Sequence, residues 1–245
     1  IEVDSNSVIP VEDYKIDNPS TARYTMFGIL AQLQRVADKY VVVGELRGDL
    51  LTTTENSTQD LRDIADFCAD SLNAYHLESE LYAIINSCNY LLSRIDTTVT
   101  ITNNQGEREK VLKYEMSQAK AIRAWCYLQL LLDYGVATYY TEPIIAVDQP
   151  VNGTEHRLNT LLPILIADLI PLVPTDPEIA ESLPDYGTVD RYASKQLFIP
   201  LRVLLGDLYL YANDYEHAAQ MYYAHLLSNR LTVLSRRNVW TDNTF

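Results

Sequence analysis

The sequence contains little glycine and little positive charge. Its 245 residues include 8 glycines, and 19 Lys and Arg stand against 33 Asp and Glu, giving a net charge of −14. Scarce glycine favours helices over turn-rich sheets. Nucleic-acid binding needs a basic face that neutralises phosphates, so this charge argues against nucleic-acid partners. It also argues against adsorption to an anionic membrane through basic side chains.

Cysteines and long apolar runs are few as well. The 3 cysteines are Cys68, Cys88 and Cys126, an odd number without a CxxC spacing, so a disulfide framework is not expected. Cys88 and Cys126 lie in apolar helical stretches, where a free cysteine acts as a small hydrophobe. No apolar run approaches the roughly 20 residues of a membrane helix. The longest apolar region, Leu161–Val173, is broken by Asp168 and by two prolines.

Catalytic and metal-binding motifs are absent from the sequence. It contains no G-x-S-x-G, no HExxH and no glycine-rich phosphate loop. His76 with Glu78 and Glu80 could be drawn as a metal site, but the spacing does not suit ligands at i and i+4 of a helix. We therefore expect a protein that is not an enzyme and that uses no metal or cofactor.

The stretch Lys113–Gly135, KYEMSQAKAIRAWCYLQLLLDYG, predicts a long helix that ends at a glycine suited to positive φ. From Ala119 onward apolar residues fall on nearly every face, which indicates a helix surrounded by protein. Arg123 interrupts this apolar coat. We expect its guanidinium to pair with a carboxylate of a neighbouring element, and the candidates are Glu45 and Asp49.

Periodic apolar residues predict further helices on both sides of this stretch. We expect them up to about residue 43, with caps offered by Asn18-Pro19-Ser20-Thr21, and at 60–67, 78–95, 160–172, 194–212 and 215–229. Pro200 should kink the 194–212 helix or mark its true start. The segments 97–107 and 135–154 are predicted to be a polar turn and an irregular connection. Residues 1–20 form an extended arm, and residues 231–245 remain unassigned.

The last two predicted helices carry the pattern of a tetratricopeptide repeat. Leu205-Gly206, Tyr209, Asn213-Asp214-Tyr215, Ala218 and Tyr222 follow its order of small and large residues. Gly206 and Ala218 should let the two helices approach closely, and His225 departs from the pattern. The predicted fold of 1–245 is therefore one all-α domain of tetratricopeptide-like helix pairs, stacked as an α-α superhelix with long irregular loops.

Four segments in order resemble the SusD/RagB family of Bacteroidetes outer-membrane lipoproteins. They are VVVGELRGDLL at 41–51, YAIINSCNYLL at 82–92, EMSQAKAIRAWCYLQLLLDYG at 115–135 followed by TYYTEPI, and 194–230. Family members are usually about twice as long, so the resemblance implies that this chain corresponds to their N-terminal helical half, either as a fragment of a longer protein or as a reduced member of the family. The less regular second half, which supplies much of the ligand site in that family, would be missing after Phe245.

The resemblance implies a non-catalytic protein that binds a nutrient at the cell surface. Its ligand would be an oligosaccharide or a peptide, and its partner a SusC-like TonB-dependent transporter of the outer membrane. It would face the cell exterior and touch the membrane only through a lipid anchor on a cysteine upstream of Ile1. A tetratricopeptide-type scaffold that binds only protein or peptide partners is the alternative.

Glycan binding needs aromatic faces and hydrogen-bonding side chains in a shallow groove. Five residues are candidates for such a site: Arg47, Asp49, Asn73, Tyr75 and Trp240. Arg47 and Asp49 belong to GELRGD, and for its charged residues we favour a structural ion-pair cluster that pins the loop over a role in ligand binding. Trp240 could equally pack against another part of the protein.

Overall fold

Helices joined by short β-hairpins make up the described chain, which in this computed structural model comprises residues 14–48, 50–102, 106, 108–189 and 191–229. The helices are α1 (Pro19–Leu46), α2 (Gln59–Ala65), α3 (Glu78–Arg94), α4 (Lys113–Tyr134), α5 (Leu158–Leu169), α6 (Leu201–Tyr211) and α7 (Tyr215–Ser228). The strands are β1 (Thr100–Thr102), β2 (Arg108–Lys110), β3 (Val136–Tyr139), β4 (Thr154–Arg157), β5 (Thr188–Val189) and β6 (Tyr192–Ala193), paired antiparallel in that order. Single 3-10 turns cover Ile170–Leu172 and Ser194–Leu197.

Each predicted helix is present, with ends that differ by a few residues. The strands correct the all-α expectation, and the fold is mostly helical. β1 and β2 overlap the predicted polar turn at 97–107, and β3 and β4 bracket the predicted irregular connection. Gly135, with φ of 77°, ends α4 in the left-handed conformation. The chain then continues directly into β3, which pairs with β4 across a loop. Apolar periodicity describes consecutive residues only, so it does not predict a pairing across that loop.

The start of α1 is set by a side-chain cap. The Oδ1 atom of Asn18 accepts a hydrogen bond from the Thr21 N–H at 2.9 Å, which confirms the predicted cap. Just before it, Ile16 is fully buried and forms a bridge to Ile95 after α3. The first 13 residues of the predicted arm and the tail 231–245 lie outside the described residues.

The centre of the fold is α4. Residues 117–131 are all buried apart from Lys120 and Trp125, which are half-buried. The helix packs most extensively on α3, and also on α1, α5 and α6. The prediction of a helix surrounded by protein is confirmed, because its neighbours cover all of its faces.

Arg123 is held inside this core by α3 and α5. Its Nη2 atom donates to Oδ2 of Asp168 at 2.8 Å, and its Nη1 atom donates to Oδ1 of Asn89 at 2.9 Å. Arg123 therefore pairs with a carboxylate of a neighbouring helix, as expected. That carboxylate is Asp168, so the prediction of Glu45 or Asp49 as the partner is wrong. Lys120 shares Asp168 at 2.5 Å, so one carboxylate joins two cations of α4 to α5.

Amide side chains, buried in Gln118 and half-buried in Asn86, tie the connecting segments to the central helices. Gln118 of α4 exchanges two hydrogen bonds of 3.0 Å with the backbone of Ile199. Asn86 of α3 does the same with Ile144, at 2.8 and 2.7 Å. Because these backbone groups lack a helix or sheet partner, the amides satisfy them and fix the connections in place.

A fully buried arginine organises the proline-rich connection before α6. Arg202 donates to the carbonyl oxygens of Pro174, Asp176 and Ile179 at 3.0, 2.8 and 2.9 Å. The carboxylate of Glu181 accepts the backbone N–H groups of Leu201 and Arg202, the first residues of α6. Pro200 immediately precedes α6 and therefore marks the true start of this helix, which is one of the two predicted outcomes.

The same connection is attached to α4 through a buried carboxyl group. Glu115 is 5% exposed, and its Oε1 atom accepts the Tyr186 hydroxyl at 3.0 Å, while Oε2 has no hydrogen-bond partner among the described residues. Burial raises the pKa of Glu115, and the hydrogen bond from Tyr186 opposes that shift. The ring of Tyr186 packs edge-on against Phe27 and Phe198.

The last helix pair forms a close hairpin at Gly206. A Cβ atom added at Gly206 would lie 2.7 Å from Cδ1 and Cζ of the Tyr222 ring, so only glycine fits beneath that ring. Ala218 is buried in the same interface, and Tyr209 stacks on His217 with ring centroids 5.2 Å apart. These contacts agree with the small-and-large pattern of the sequence. The stacking of successive pairs into a superhelix stays a prediction.

Candidate functional site

Arg47, a predicted site residue, follows α1 and pairs with the end of α4. Its Nη1 atom lies 2.9 Å from Oδ1 of Asp133, and the two side chains are 30% and 16% exposed. Burial raises the pKa of Asp133, and the Arg47 guanidinium opposes that shift. The Arg47 Nε atom is buried without a hydrogen-bond partner among the described residues. The ion pair thus joins the C-terminal ends of α1 and α4.

Asn73 and Tyr75 lie in the segment before α3 and are held by the fold. The Asn73 amide donates to the Asp60 carbonyl at 3.0 Å and accepts the Tyr75 N–H at 2.9 Å. The half-buried ring of Tyr75 packs on a small apolar cluster of Val43, Leu46 and Ile64. Both residues therefore brace the segment, and the Asn73 side chain uses its oxygen and one amide proton within the protein. Asp49 and Trp240 lie outside the described residues.

Beside Arg47 the structure assembles aromatic rings and carboxylates from four helices. We call Tyr40, Trp125, Asp133, Asp207, Tyr211 and Tyr222 the aromatic–carboxylate cluster. The rings of Tyr40 and Trp125 meet edge to face, with centroids 5.1 Å apart. The Tyr222 hydroxyl donates to Oδ1 of Asp207 at 2.5 Å. The side chains come from α1, α4, α6 and α7, of which α1 contacts α4, α4 contacts α6, and α6 contacts α7.

Carboxylates in and beside the cluster act on its phenols. The pKa of Tyr40 is raised by burial and, to a smaller extent, by Tyr211, Asp133, Asp207 and Glu45. The pKa of Tyr222 is raised by burial and by its hydrogen bond to Asp207. Both phenols are therefore neutral at physiological pH and keep an O–H donor.

The surface of the cluster suits a hydroxyl-rich ligand. Tyr40 is 39% exposed and Tyr211 is 43% exposed, so both offer ring surface to solvent. Aromatic faces stack on apolar ring surfaces, and carboxylates accept hydrogen bonds from hydroxyl groups. The carboxylates disfavour an anionic ligand, because like charges repel.

Sequence reasoning identified Arg47 but missed its partner and the cluster. Asp133 interrupts an apolar helix, and Tyr40 and Trp125 lie on faces that periodicity assigns to packing. Composition gives the one relevant signal in the sequence, because 18 tyrosines against 4 phenylalanines indicate aromatic side chains that are partly exposed to solvent. Composition does not say which of these tyrosines meet.

The part of the chain that the structure describes brings together no group of three or more His, Cys, Asp or Glu side chains that could hold a metal ion. None of its helices combines the length and the apolar character that crossing a membrane requires.

Comparison with known proteins links the chain to one curated relative. It is similar to SusD-like protein P25 of Formosa agariphila, with 28% identity over 106 residues. This stretch is 43% of the present chain and 19% of the relative, so the match spans about a fifth of the relative's length. No family model and no solved structure matches the chain. The similarity agrees with the SusD-like resemblance over less than half of the sequence.

Proposed function

We propose that this chain is a SusD-like, non-catalytic binding protein that captures an oligosaccharide at the cell surface. The observation that carries the proposal is the similarity to a SusD-like protein over 106 residues. The four segments quoted from the sequence support it independently of that comparison. In this proposal the bound glycan passes to a SusC-like TonB-dependent transporter, and a lipid anchor holds the protein on the outer membrane.

The aromatic–carboxylate cluster is the proposed glycan site. Tyr40 and Tyr211 would stack on sugar rings, while Asp133 and Asp207 would accept hydroxyl protons. Arg47 would donate from the face opposite Asp133. The field of the carboxylates favours a neutral glycan over an acidic one, so we propose a neutral oligosaccharide.

Binding of defined glycans tests this function directly. The chain is screened on an array of neutral and acidic glycans, and hits are titrated by calorimetry. We expect binding to neutral oligosaccharides that Tyr40→Ala weakens about tenfold, since one stacked ring contributes on the order of 1–2 kcal/mol. Tyr24→Ala is the matched control, because Tyr24 lies on the same helix and is 73% exposed. An equal effect of both variants, or no glycan binding, would refute the proposed site.

The transporter and the anchor are tested separately. Expression from the native operon followed by affinity purification should recover a large outer-membrane β-barrel with the protein. The native reading frame should encode a lipobox cysteine within a few tens of residues upstream of Ile1. Absence of both would remove the proposed location and partner while leaving glycan binding open.

A scaffold that binds only protein or peptide partners is the second candidate. The observation that favours it is the exposed apolar surface of α7, where Tyr215 and Tyr223 are each 63% exposed and Leu226 is 48% exposed. Tyr223→Ser with Leu226→Ser would abolish partner binding in a scaffold and leave glycan affinity unchanged in a SusD-like protein. Measuring both in the same variant separates the two functions.

A further inference from the structure

A cavity of about 420 Å³ lies next to the aromatic–carboxylate cluster. It is bounded by the glycine that ends α4, by the start of α5 and by the end of α6. This volume is within the range of small-molecule pockets. Its polar walls come from Arg157, Asn159, Tyr211 and Asn213, and its apolar floor includes the buried Leu162.

The polar walls of the cavity consist mainly of hydrogen-bond donors. The backbone of Arg157, and not its guanidinium, exchanges hydrogen bonds with Thr160 Oγ1 at 3.1 and 3.0 Å. No described carboxylate forms an ion pair with the exposed guanidinium, and none lines the cavity. Asn213 accepts the Tyr215 hydroxyl at 3.0 Å, so its amide protons remain available for a ligand. The cavity offers donors where the cluster offers acceptors.

Tyr211 belongs to both the cavity and the cluster. It lines the cavity, and it lies one helical turn after Asp207 on α6, the residue whose carboxylate binds the Tyr222 hydroxyl. A ligand stacked on Tyr211 would therefore meet carboxylate acceptors on one side and amide and guanidinium donors on the other. A linked pair of rings could place one ring against the donors and the other against the acceptors.

We propose that the cavity is a second sugar subsite, and that it makes the protein select a neutral oligosaccharide over the corresponding monosaccharide. One ring of the chain lies in the cavity, with hydroxyl oxygens accepting from Arg157 and Asn159. The next ring lies against Tyr211 and reaches the carboxylates of the cluster. This inference rests on the proposed glycan-binding function. It adds a minimum length for the ligand and names the residues that would bind its second ring.

A length series of glycans tests the second subsite. Malto-, cello-, xylo- and laminari-oligosaccharides, each from the monosaccharide to the hexasaccharide, are titrated against the chain by calorimetry. For a series that binds, we expect affinity to rise at least about tenfold from one to two or three units, because hydrogen bonds to a charged donor are added. Arg157→Gln should remove most of that rise.

Matched variants keep the test independent of folding. Arg35→Gln on α1 changes an exposed arginine outside the cavity and should retain the length dependence. Thermal melts establish that each variant is folded. Wild-type binding without length dependence, or an Arg157→Gln variant with an unchanged series, would overturn the second subsite and leave the proposed function standing. A wild-type chain that binds no glycan of any length would overturn both.

Discussion

Replacing Gly206 with alanine tests the close approach of α6 and α7. At most helix positions this substitution stabilises, because alanine is the better helix former by about 1 kcal/mol. At Gly206 the new methyl group would lie 2.7 Å from two carbon atoms of the Tyr222 ring. The ring cannot move freely, since its hydroxyl is held by Asp207 at 2.5 Å. Either the ring leaves its place or the two helices separate.

The net effect follows from opposing contributions. Overpacking a close interface costs about 1–3 kcal/mol, and turning the ring away also loses its hydrogen bond to Asp207, worth about 1 kcal/mol at a partly exposed site. Subtracting the helix-propensity gain leaves Gly206→Ala about 1–3 kcal/mol less stable than wild type. For a chain of this length the melting temperature falls by about 2–4 °C for each kcal/mol.

Urea unfolding and thermal melts measure this change against a matched control. Gly28 lies inside α1 with no atom within 4 Å of an added Cβ, so Gly28→Ala should raise stability by about 1 kcal/mol. In a Tyr222→Ala background the methyl group at position 206 meets no ring, and Gly206→Ala should become neutral or stabilising. If Gly206→Ala stabilises as Gly28→Ala does, the close packing at this position is wrong.

Three other predictions concern buried charges. Arg123→Ala leaves Asp168 and Asn89 without their partner and should lower unfolding free energy by about 3 kcal/mol in urea titrations; an unchanged midpoint would mean that the ion pair is not formed. Burial raises the pKa of Glu115 above its unfolded value, so its contribution is present at low pH and lost as pH rises through the folded pKa. Glu115→Gln should therefore gain stability relative to wild type between pH 5 and pH 8, and a pH-independent difference would contradict the shift. Arg202→Met removes the donors to the 174–179 carbonyls and should accelerate amide exchange of that connection, measured by mass spectrometry, without a matching change in α3.

The sequence predicted the helices well because each carries its own apolar period and its own end signals. Asn18 caps α1 and Gly135 ends α4 as expected, and both signals depend on neighbouring residues only. The hairpins were not predicted because they are stabilised by pairing across a loop. β3 and β4 are four residues each and have no apolar alternation that would separate them from irregular chain.

The candidate site could be predicted only in part, because side chains from distant segments build it. Arg47 was identified from its local motif, but its partner Asp133 is 86 residues away in the sequence. Arg123 illustrates the same limit: a buried arginine requires a carboxylate, but one sequence does not say which of 33 acidic residues supplies it. Local rules therefore identify the need for a partner, and tertiary packing selects it.

The proposed sites depend on the last turns of α4. Trp125 and Asp133 belong to the cluster, and Gly135 borders the cavity. The Tyr134 hydroxyl accepts the Leu77 N–H at 2.9 Å, which helps to fix the segment that precedes α3. One rigid, buried helix thus presents its end to every candidate residue that the structure describes. A ligand bound there would meet side chains whose positions are set by the core, so little ordering would be needed on binding. Core substitutions in the last turns of α4 should consequently weaken ligand affinity together with stability, whereas the same loss of stability introduced at the buried Ile16, before the start of α1, should leave affinity unchanged.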